Sequence, residues 1–373
     1  MLSNHGKIPL FSHNEQKLNE IEKFERVVKT YTNVKGALAV QSGTAAIHLA
    51  LRLLEVRSGD NVFCSTLTSI ASASPIIYQG AEPVFIDSDP DTWNMSPVAL
   101  KKALDEAVRN HRLPKAIIVT HLYGYCGHLE KIKDLSQTYQ VPVIEDAAHA
   151  FGTLCNGEYC GSRGDFGIFS FGVNKLLSTS NGGMLLSGDS RYIRDARHLA
   201  SQARELHPFH HHQTTGYNYQ MSPILAAIGN GELGKVVDKI NKKRNVYHYY
   251  QKLIAKEELL NLIPVQEGIV PNYWMTVITI DDVSIYQLYQ VYLHLMKQNI
   301  EVSFIVKPLH RQPVFEGYTY FSHSEHFSVS DQLFHTALCV PSGVNMTGEE
   351  QEEVIAQLKH ALELVDNSSL FTN

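Results

Sequence analysis

Long apolar runs, paired cysteines and an excess of basic charge are all missing from this chain, and each absence removes a class of protein. No stretch approaches the roughly 18 consecutive apolar residues of a membrane helix, so no membrane span is expected. Five cysteines stand at 64, 126, 155, 160 and 339, and no two have C-x-x-C spacing. An odd, scattered set reads as reduced thiols rather than a disulfide framework, and the cytoplasm is the expected location. The opening stretch, MLSNHGKIPLF, has no apolar core and no cleavage signature, so no secretory signal is expected. With 32 basic against 38 acidic residues, nothing supplies the bulk positive charge that holds nucleic acid. A local basic pocket for a phosphorylated small molecule stays open. No G-x-x-x-x-G-K-[ST] loop occurs either, which removes the P-loop nucleotide binders.

What is present is an ordinary globular composition over 373 residues, long enough for two domains with substantial cores. Short apolar runs alternate with longer amphipathic segments. Strands are expected at 37–40, 61–64, 83–86, 116–120 and 141–144, and helices at 45–54, 69–78 and 131–139. That alternation predicts a mostly parallel sheet covered on both faces. Ligands bind such a sheet beyond the carboxyl ends of its strands. Ser42-Gly43-Thr44, Asp87, His121 and Asp146 all sit at those ends. The pattern changes near residue 235. A long helix at 235–255 is followed by strands at 274–281 and 300–306 and helices at 286–298 and 347–364, which predicts a smaller α+β domain. The expected division is a large α/β domain at 15–240 and a C-terminal domain at 241–373, preceded by segment 1–14.

Three features carry chemistry. Lys175 lies between an apolar segment, 166–171, and a glycine-rich return at Gly182-Gly183. Desolvation there would lower the pKa of its amine and make it a nucleophile able to form a Schiff base with an aldehyde. A loop lysine with no role is the alternative. Asp146 ends a strand. A carboxylate there can cap, pair with a cation, bind a metal or keep a pyridinium nitrogen protonated. His149, three residues on, could touch the same ring or simply pack. Ser42-Gly43-Thr44 opens a helix, where backbone N–H groups can hold a phosphate; the same residues also make a plain N-cap. That segment is not a G-x-G-x-x-G loop. A lysine, a strand-end acid and a phosphate cradle together suit pyridoxal phosphate. His210-His211-His212 sits in a polar stretch without acidic or cysteine partners at ligand spacing, so no metal is assigned. The tyrosines at 247–250 and 286–292 fall at helical spacings and read as packing residues.

The motifs Gln41-Ser42-Gly43-Thr44, His121-Leu122-Tyr123-Gly124, Glu145-Asp146-Ala147-Ala148-His149, Gly164-Asp165-Phe166-Gly167 and Phe169-Ser170-Phe171 with Lys175 occur in that order. They are followed by Ser201-Gln202-Ala203-Arg204-Glu205, Gly216-Tyr217-Asn218-Tyr219 and Lys307-Pro308-Leu309-His310. In these the chain resembles the pyridoxal-phosphate-dependent nucleotide-sugar aminotransferases of the DegT/DnrJ/EryC1/StrS family. The resemblance implies the aspartate-aminotransferase (type I) fold. It implies that Lys175 carries the Schiff base, Asp146 bonds the pyridine nitrogen and His149 lies near the ring. It gives Gly43, Thr44 and Ser170 to the phosphate, Ser69 to the cofactor ring, and Asn218 to the phosphate of a neighbouring subunit in a homodimer. Lys307 and His310 would border the sugar nucleotide. Details around Lys175, Arg204 and Asn218 resemble enzymes that aminate carbon 4 of a UDP-linked 4-keto-6-deoxy-N-acetylhexosamine, with glutamate as donor.

The chain also departs from the family. Ser69 stands where members commonly have an aromatic, Gln220 where they often have Arg. Ser303-Phe304-Ile305-Val306-Lys307-Pro308 replaces Arg-Pro-x-Trp-Lys-Pro. An arginine–phosphate contact is not replaced by Gln or Ser, so sugar and nucleotide are open. Three rivals follow: a dehydratase of the same fold, which Lys175 disfavours because a histidine usually replaces that lysine; a non-catalytic member that binds sugar nucleotide or cofactor; and a nicotinamide-dependent sugar oxidoreductase.

Overall fold

The computed structural model describes residues 15–369. Segment 1–14 lies outside the described residues. Helix α1 (Glu15–Thr32) leads into β1 (Gly36–Val40) and α2 (Gly43–Leu53), then β2 (Asn61–Ser65), α3 (Ile70–Tyr78) and β3 (Glu82–Ile86). There follow α4 (Pro97–Arg109), β4 (Ala116–Thr120), α5 (Leu129–Tyr139) and β5 (Val143–Asp146). A small hairpin, β6 (Leu154–Cys155) and β7 (Glu158–Tyr159), precedes β8 (Phe166–Ser170), β9 (Gly183–Ser187) and helices α6 (Ser190–Ala200), α7 (Pro223–Leu233) and α8 (Val236–Ile254). The remainder comprises β10 (Leu260–Leu262), β11 (Ile269–Val270), β12 (Thr276–Ile280), α9 (Ile285–Lys297), β13 (Ser303–Phe304), β14 (Tyr320–Phe321), α10 (Val329–Thr336), β15 (Ala337–Val340) and α11 (Gly348–Ser369).

The main sheet has eight strands in the order β1-β9-β8-β5-β4-β2-β3-β14. Only β9 runs against the rest. Its strands are buried along nearly their whole length, because helices cover both faces. Two apolar clusters mark the two covered faces: one gathers Ile47, Leu51, Ile118 and Ile168, the other Phe63, Leu100, Ile117 and Val143. Neighbours Ile117 and Ile118 fall in different clusters, as the period of a strand requires. The mixed α/β, mostly parallel architecture agrees with the expectation.

A second sheet, β10-β12-β15-β13, is antiparallel throughout and packs with α8, α9 and α11 around Ile278, Leu295 and Leu358. The C-terminal half also returns to the main sheet, since β14 pairs in parallel with β3. Asp87 fixes that return. Its carboxylate accepts from the N–H groups of His323, Val329 and Ser330 and from Ser330 Oγ. Asp87 is thus an anchor for the C-terminal segment, and the expectation that it marks a ligand site is corrected.

Two other local expectations shift. The strand expected at 141–144 is formed by Val143–Asp146, because Val141 N–H bonds back to Ser136 O and closes α5. The strand expected at 300–306 shrinks to Ser303–Phe304. A G-x-G-x-x-G run does occur, at Gly229 to Gly234, but it ends α7 with no strand before it. A Cβ on Gly229 would stand 2.7 Å from the Phe24 ring, so that glycine serves helix packing. Among the described residues, no helix is long and apolar enough to cross a membrane.

Candidate active site

The carboxyl ends of β5 and β8 and the N-terminus of α2 enclose one cavity, lined among others by Gly43, Thr44, Ser69, Asp146, His149, Ser170 and Lys175. Seven expected cofactor residues therefore converge. Ser42 caps α2, its Oγ accepting from Ala45 N–H at 3.1 Å. The first turn of that helix has N–H groups without intrahelical partners, and they face an anion well. Small residues are needed here. A Cβ on Gly43 would stand 3.1 Å from Ser170 Cβ, and one on Gly183 would stand 2.4 Å from the Ser42 carbonyl carbon. Ser69 spends its hydroxyl on capping α3, accepting from Ala71 N–H at 3.3 Å.

Asp146 is buried and held from two sides. Ser72 Oγ donates to Oδ2 at 2.6 Å and Ala148 N–H donates to Oδ1 at 3.1 Å. Behind Ser72 the hydroxyl of Thr68 lies at 2.9 Å, and Thr120 Oγ1 donates to Thr68 Oγ1 at 3.0 Å. Lys175 shares the cavity with Asp146. Burial depresses its amine from 10.5 to about 8, while Asp146 works the other way. A substantial fraction of the amine is therefore neutral near pH 8, as a nucleophile requires.

Residues from the second half of the chain back His149 and the loop of Lys175, and sequence reasoning did not find them. The Trp274 indole stacks on the His149 imidazole with centroids 4.1 Å apart and planes at 20°. Lys175 Nζ lies 4.7 Å from the centre of the same indole. Trp274 Nε1–H donates to Asn174 O at 2.7 Å and so ties down the lysine's loop. Asn272 Nδ2 donates to the carbonyls of His149 and Phe151. Burial, and then the charge of Lys175, hold the His149 imidazole well below its usual pKa, so it is neutral. Its Nδ1 is buried without a hydrogen-bond partner. The only hint in the sequence was that Trp is scarce, with two in the chain.

Three expected site residues lie elsewhere. Asn218 is exposed and borders a separate surface depression with Ser201, Arg204 and Gln220. Lys307 is exposed and outside the cavity lining. His310 is engaged on both nitrogens: Nδ1 lies 2.7 Å from Thr66 Oγ1 and Nε2 3.3 Å from Asp331 Oδ1. Its ring stacks on Tyr320 at 3.8 Å. In this chain His310 is a packing and hydrogen-bonding node outside the cavity lining. His121 also turns away from the cavity, toward Glu145. The His210-His211-His212 tract is an exposed loop.

A buried, hydrogen-bonded acid, a partly neutral lysine and a glycine-lined helix terminus form the donor set for a phosphorylated pyridine aldehyde. The fit rests on the Gly43–Ser170 approach, which leaves open the space a Cβ would fill, and on the Asp146 hydrogen bonds. The fold and cavity define an enzyme dependent on pyridoxal phosphate. A model of the DegT/DnrJ/EryC1/StrS aminotransferase family matches residues 12–359, and the chain belongs to that family. It is 46% identical over 347 residues to a Bacillus subtilis protein named pyridoxal phosphate-dependent aminotransferase EpsN, covering 93% of this chain and 89% of the relative. It is 33% identical to a GDP-perosamine synthase of Escherichia coli O157:H7, covering 89% of this chain and 87% of that one. In fold it matches a family member from Brucella abortus with a TM-score of 0.84 at 24% identity, over 93% of this chain and 95% of that one. A sugar aminotransferase from Streptococcus pneumoniae, solved with the cofactor in its pyridoxal form, matches with a TM-score of 0.84 at 21% identity over 96% of this chain. The protein is a pyridoxal-phosphate-dependent sugar aminotransferase.

Proposed function

We propose that the enzyme moves an amino group from glutamate to the 4-keto carbon of a UDP-linked 4-keto-6-deoxy sugar by ping-pong transamination. The observation that carries the reading is Lys175, partly neutral and in one cavity with the buried Asp146 and the α2 terminus. When bound, pyridoxal phosphate supplies the aldehyde that takes up the amino group and the ring that withdraws electrons. Lys175 is the amine for that aldehyde and the base whose Nζ takes and returns the proton. Asp146 holds positive charge at the ring nitrogen, with Ser72 and the Ala148 N–H fixing the carboxylate in place. Gly43, Thr44 and Ser170 hold the phosphate. Ser69 and His149 flank the ring, and the indole of Trp274 backs His149. Asn218, exposed in one chain, reaches the phosphate of a second copy, so the working unit is a cytoplasmic homodimer. Lys307, exposed and outside the cavity lining, is the proposed contact to the sugar nucleotide.

Support for a 4-keto sugar comes from the resemblance in sequence and from relatives named GDP-perosamine synthase. Those names favour a second reading of the nucleotide, GDP in place of UDP. The test has two stages. Adding glutamate to the coloured protein should bleach its visible absorption, and adding the right keto sugar should restore it. UDP-, GDP- and dTDP-linked 4-keto-6-deoxy sugars compared at one concentration then rank the nucleotides. A protein that holds cofactor but ignores glutamate would overturn the donor assignment. Restoration by the GDP sugar alone would overturn the UDP assignment.

A further inference from the structure

Three of the five cysteines meet on the far side of β5 from Asp146, around His121. Successive residues of a strand face opposite ways. Asp146 points into the cavity, and Glu145 points to the other side. The ligand atoms of His121, Cys126 and Cys160 all lie within 4.8 Å of one another, and all three residues are buried. The thiol of Cys155, also buried, interacts with that of Cys126. The pattern is H-x4-C followed by C-x4-C. The second pair flanks the β6–β7 hairpin, whose turn residues Asn156 and Gly157 both have positive φ, 51° and 83°. That is the primed turn an Asn-Gly pair makes, and it folds Cys155 and Cys160 toward one point.

The imidazole shows which way the cluster faces. His121 Nε2 lies 2.8 Å from Glu145 Oε2. Glu145 also accepts from the N–H groups of Gly161, Arg163 and Gly164, so it is an ionised acceptor and Nε2 carries the proton. Nδ1 is then the ring nitrogen left for another partner. That atom is buried and has no hydrogen-bond partner. A carboxylate behind a histidine whose other nitrogen faces thiols is the usual outer shell of a metal-binding imidazole.

We propose that His121, Cys126, Cys155 and Cys160 bind one zinc ion in a tetrahedral Cys3His site. Three sulfurs and one imidazole nitrogen are a closed, structural donor set for zinc. On one tetrahedral ion, sulfurs sit on the order of 4 Å apart; the ligand atoms of His121, Cys126 and Cys160 already lie within 4.8 Å of one another, and Cys155, beside Cys126, turns in to complete the shell. Binding releases the thiol protons to solvent, and no electron changes hands. Three thiolates and a dication leave one negative charge. Arg163, which also pairs with Glu130 and Glu158, places Nη1 3.4 Å from Cys155 Sγ and so lies beside that charge. The linear sequence has no C-x-x-C pair, which is why no metal was expected; the fold supplies the convergence. The ion would tie the segment after β4, the β6–β7 hairpin and Glu145 together, and so brace the strand end that presents Asp146.

The test uses the untagged, reduced full-length holoenzyme and zinc alone. Elemental analysis after exhaustive dialysis should find one zinc per chain. Exchange for cobalt(II) should give the intense visible bands of a tetrahedral thiolate site, at wavelengths beyond the cofactor's own absorption. Cys160→Ser and Cys126→Ser should each weaken zinc binding at least 100-fold, whereas Cys64→Ser and Cys339→Ser should not. The wild-type cobalt spectrum needs no variant and stands even where a serine variant misfolds. Failure to retain zinc with the thiols reduced would overturn the proposal. So would a disulfide among the three cysteines in freshly purified protein, or zinc that survives both key substitutions. None of these results depends on glutamate or sugar turnover.

Discussion

Trp274 reaches across from the second sheet and stacks on His149, with 4.1 Å between ring centres, while its indole N–H holds the carbonyl of Asn174. One side chain therefore fixes both the imidazole beside the candidate ring site and the loop that carries Lys175. The two contributions can be separated. Trp274→Phe should keep most of the stack and lose the hydrogen bond, which costs about 1 kcal/mol. Trp274→Ala should also lose the buried indole, at roughly 3–5 kcal/mol. Denaturant unfolding of both variants measures the difference. Glutamate half-reaction rates should fall in the phenylalanine variant even where its fold is intact, because the lysine's loop is released.

Lys175 itself gives a prediction with a sign. Burial lowers its pKa from 10.5 to about 8. Between those values the unfolded chain holds the proton and the folded chain does not, so stability rises with pH across that window. Lys243, lowered to about 8 by burial, adds a similar rise. Apoprotein stability should therefore climb from pH 8 to 10.5, and Lys175→Met should climb less than wild type. A Lys175→Ala variant should show no glutamate half-reaction at any pH. Retained turnover in it would sink the assignment of Lys175.

The hydroxyl chain from Thr120 through Thr68 and Ser72 ends on Asp146. Ser72→Ala removes one charge-assisted hydrogen bond from a buried carboxylate, a loss of about 1.5–3 kcal/mol. Cofactor affinity, measured by titrating apoprotein, should weaken at least tenfold, with Ser72→Thr restoring most of it. Unchanged affinity in Ser72→Ala would show that Ala148 alone suffices to hold Asp146.

These residues show what could be read from the chain and what could not. Lys175, Asp146 and Ser42-Gly43-Thr44 were legible because each sits at the end of a local element, where the sequence pattern itself changes. Gly43 and Gly183 were legible as glycines but not as partners, since their closeness depends on β9 running beside α2. Ser72 could not be found: its hydroxyl matters only because β2 lies between β3 and β4 and brings α3 over the end of β5. Trp274 lies about a hundred residues from the loop it holds. Asp87 shows the reverse error. It is polar at a suggestive position, and it is consumed by contacts to the C-terminal segment that no local pattern announces.

His310 offers a direct check on whether that side chain serves the fold or the substrate. Its imidazole links Thr66 to Asp331 and covers Tyr320. Asp331 is held well below the usual carboxylate range: burial opposes its charge, but the His310 and Arg311 contacts more than offset it. His310→Ala should lower the melting temperature by several degrees, in line with about 1–2 kcal/mol lost from one buried polar node. KM for the keto sugar should stay within about twofold of wild type. A tenfold rise in KM with unchanged stability would return His310 to the substrate.

The two glycines at the α2 terminus should behave differently when given a methyl group. At Gly183 the new Cβ would meet backbone, 2.4 Å from the Ser42 carbonyl carbon. Backbone cannot rotate aside, so Gly183→Ala must move β9 or the start of α2. At Gly43 the new Cβ would meet only the Ser170 side-chain carbon, at 3.1 Å. A shift of a few tenths of an ångström relieves that contact, and the methyl group then occupies space within the cavity. Gly183→Ala should therefore lose stability and cofactor together, by an amount typical of core overpacking, about 1–3 kcal/mol. Gly43→Ala should unfold close to the wild-type midpoint yet bind cofactor several-fold more weakly. Thermal unfolding of the apoproteins, paired with cofactor titration, separates the two. Equal losses of stability in both variants would mean that Gly43 serves the packing of α2 against β8, and the phosphate would have to be held elsewhere.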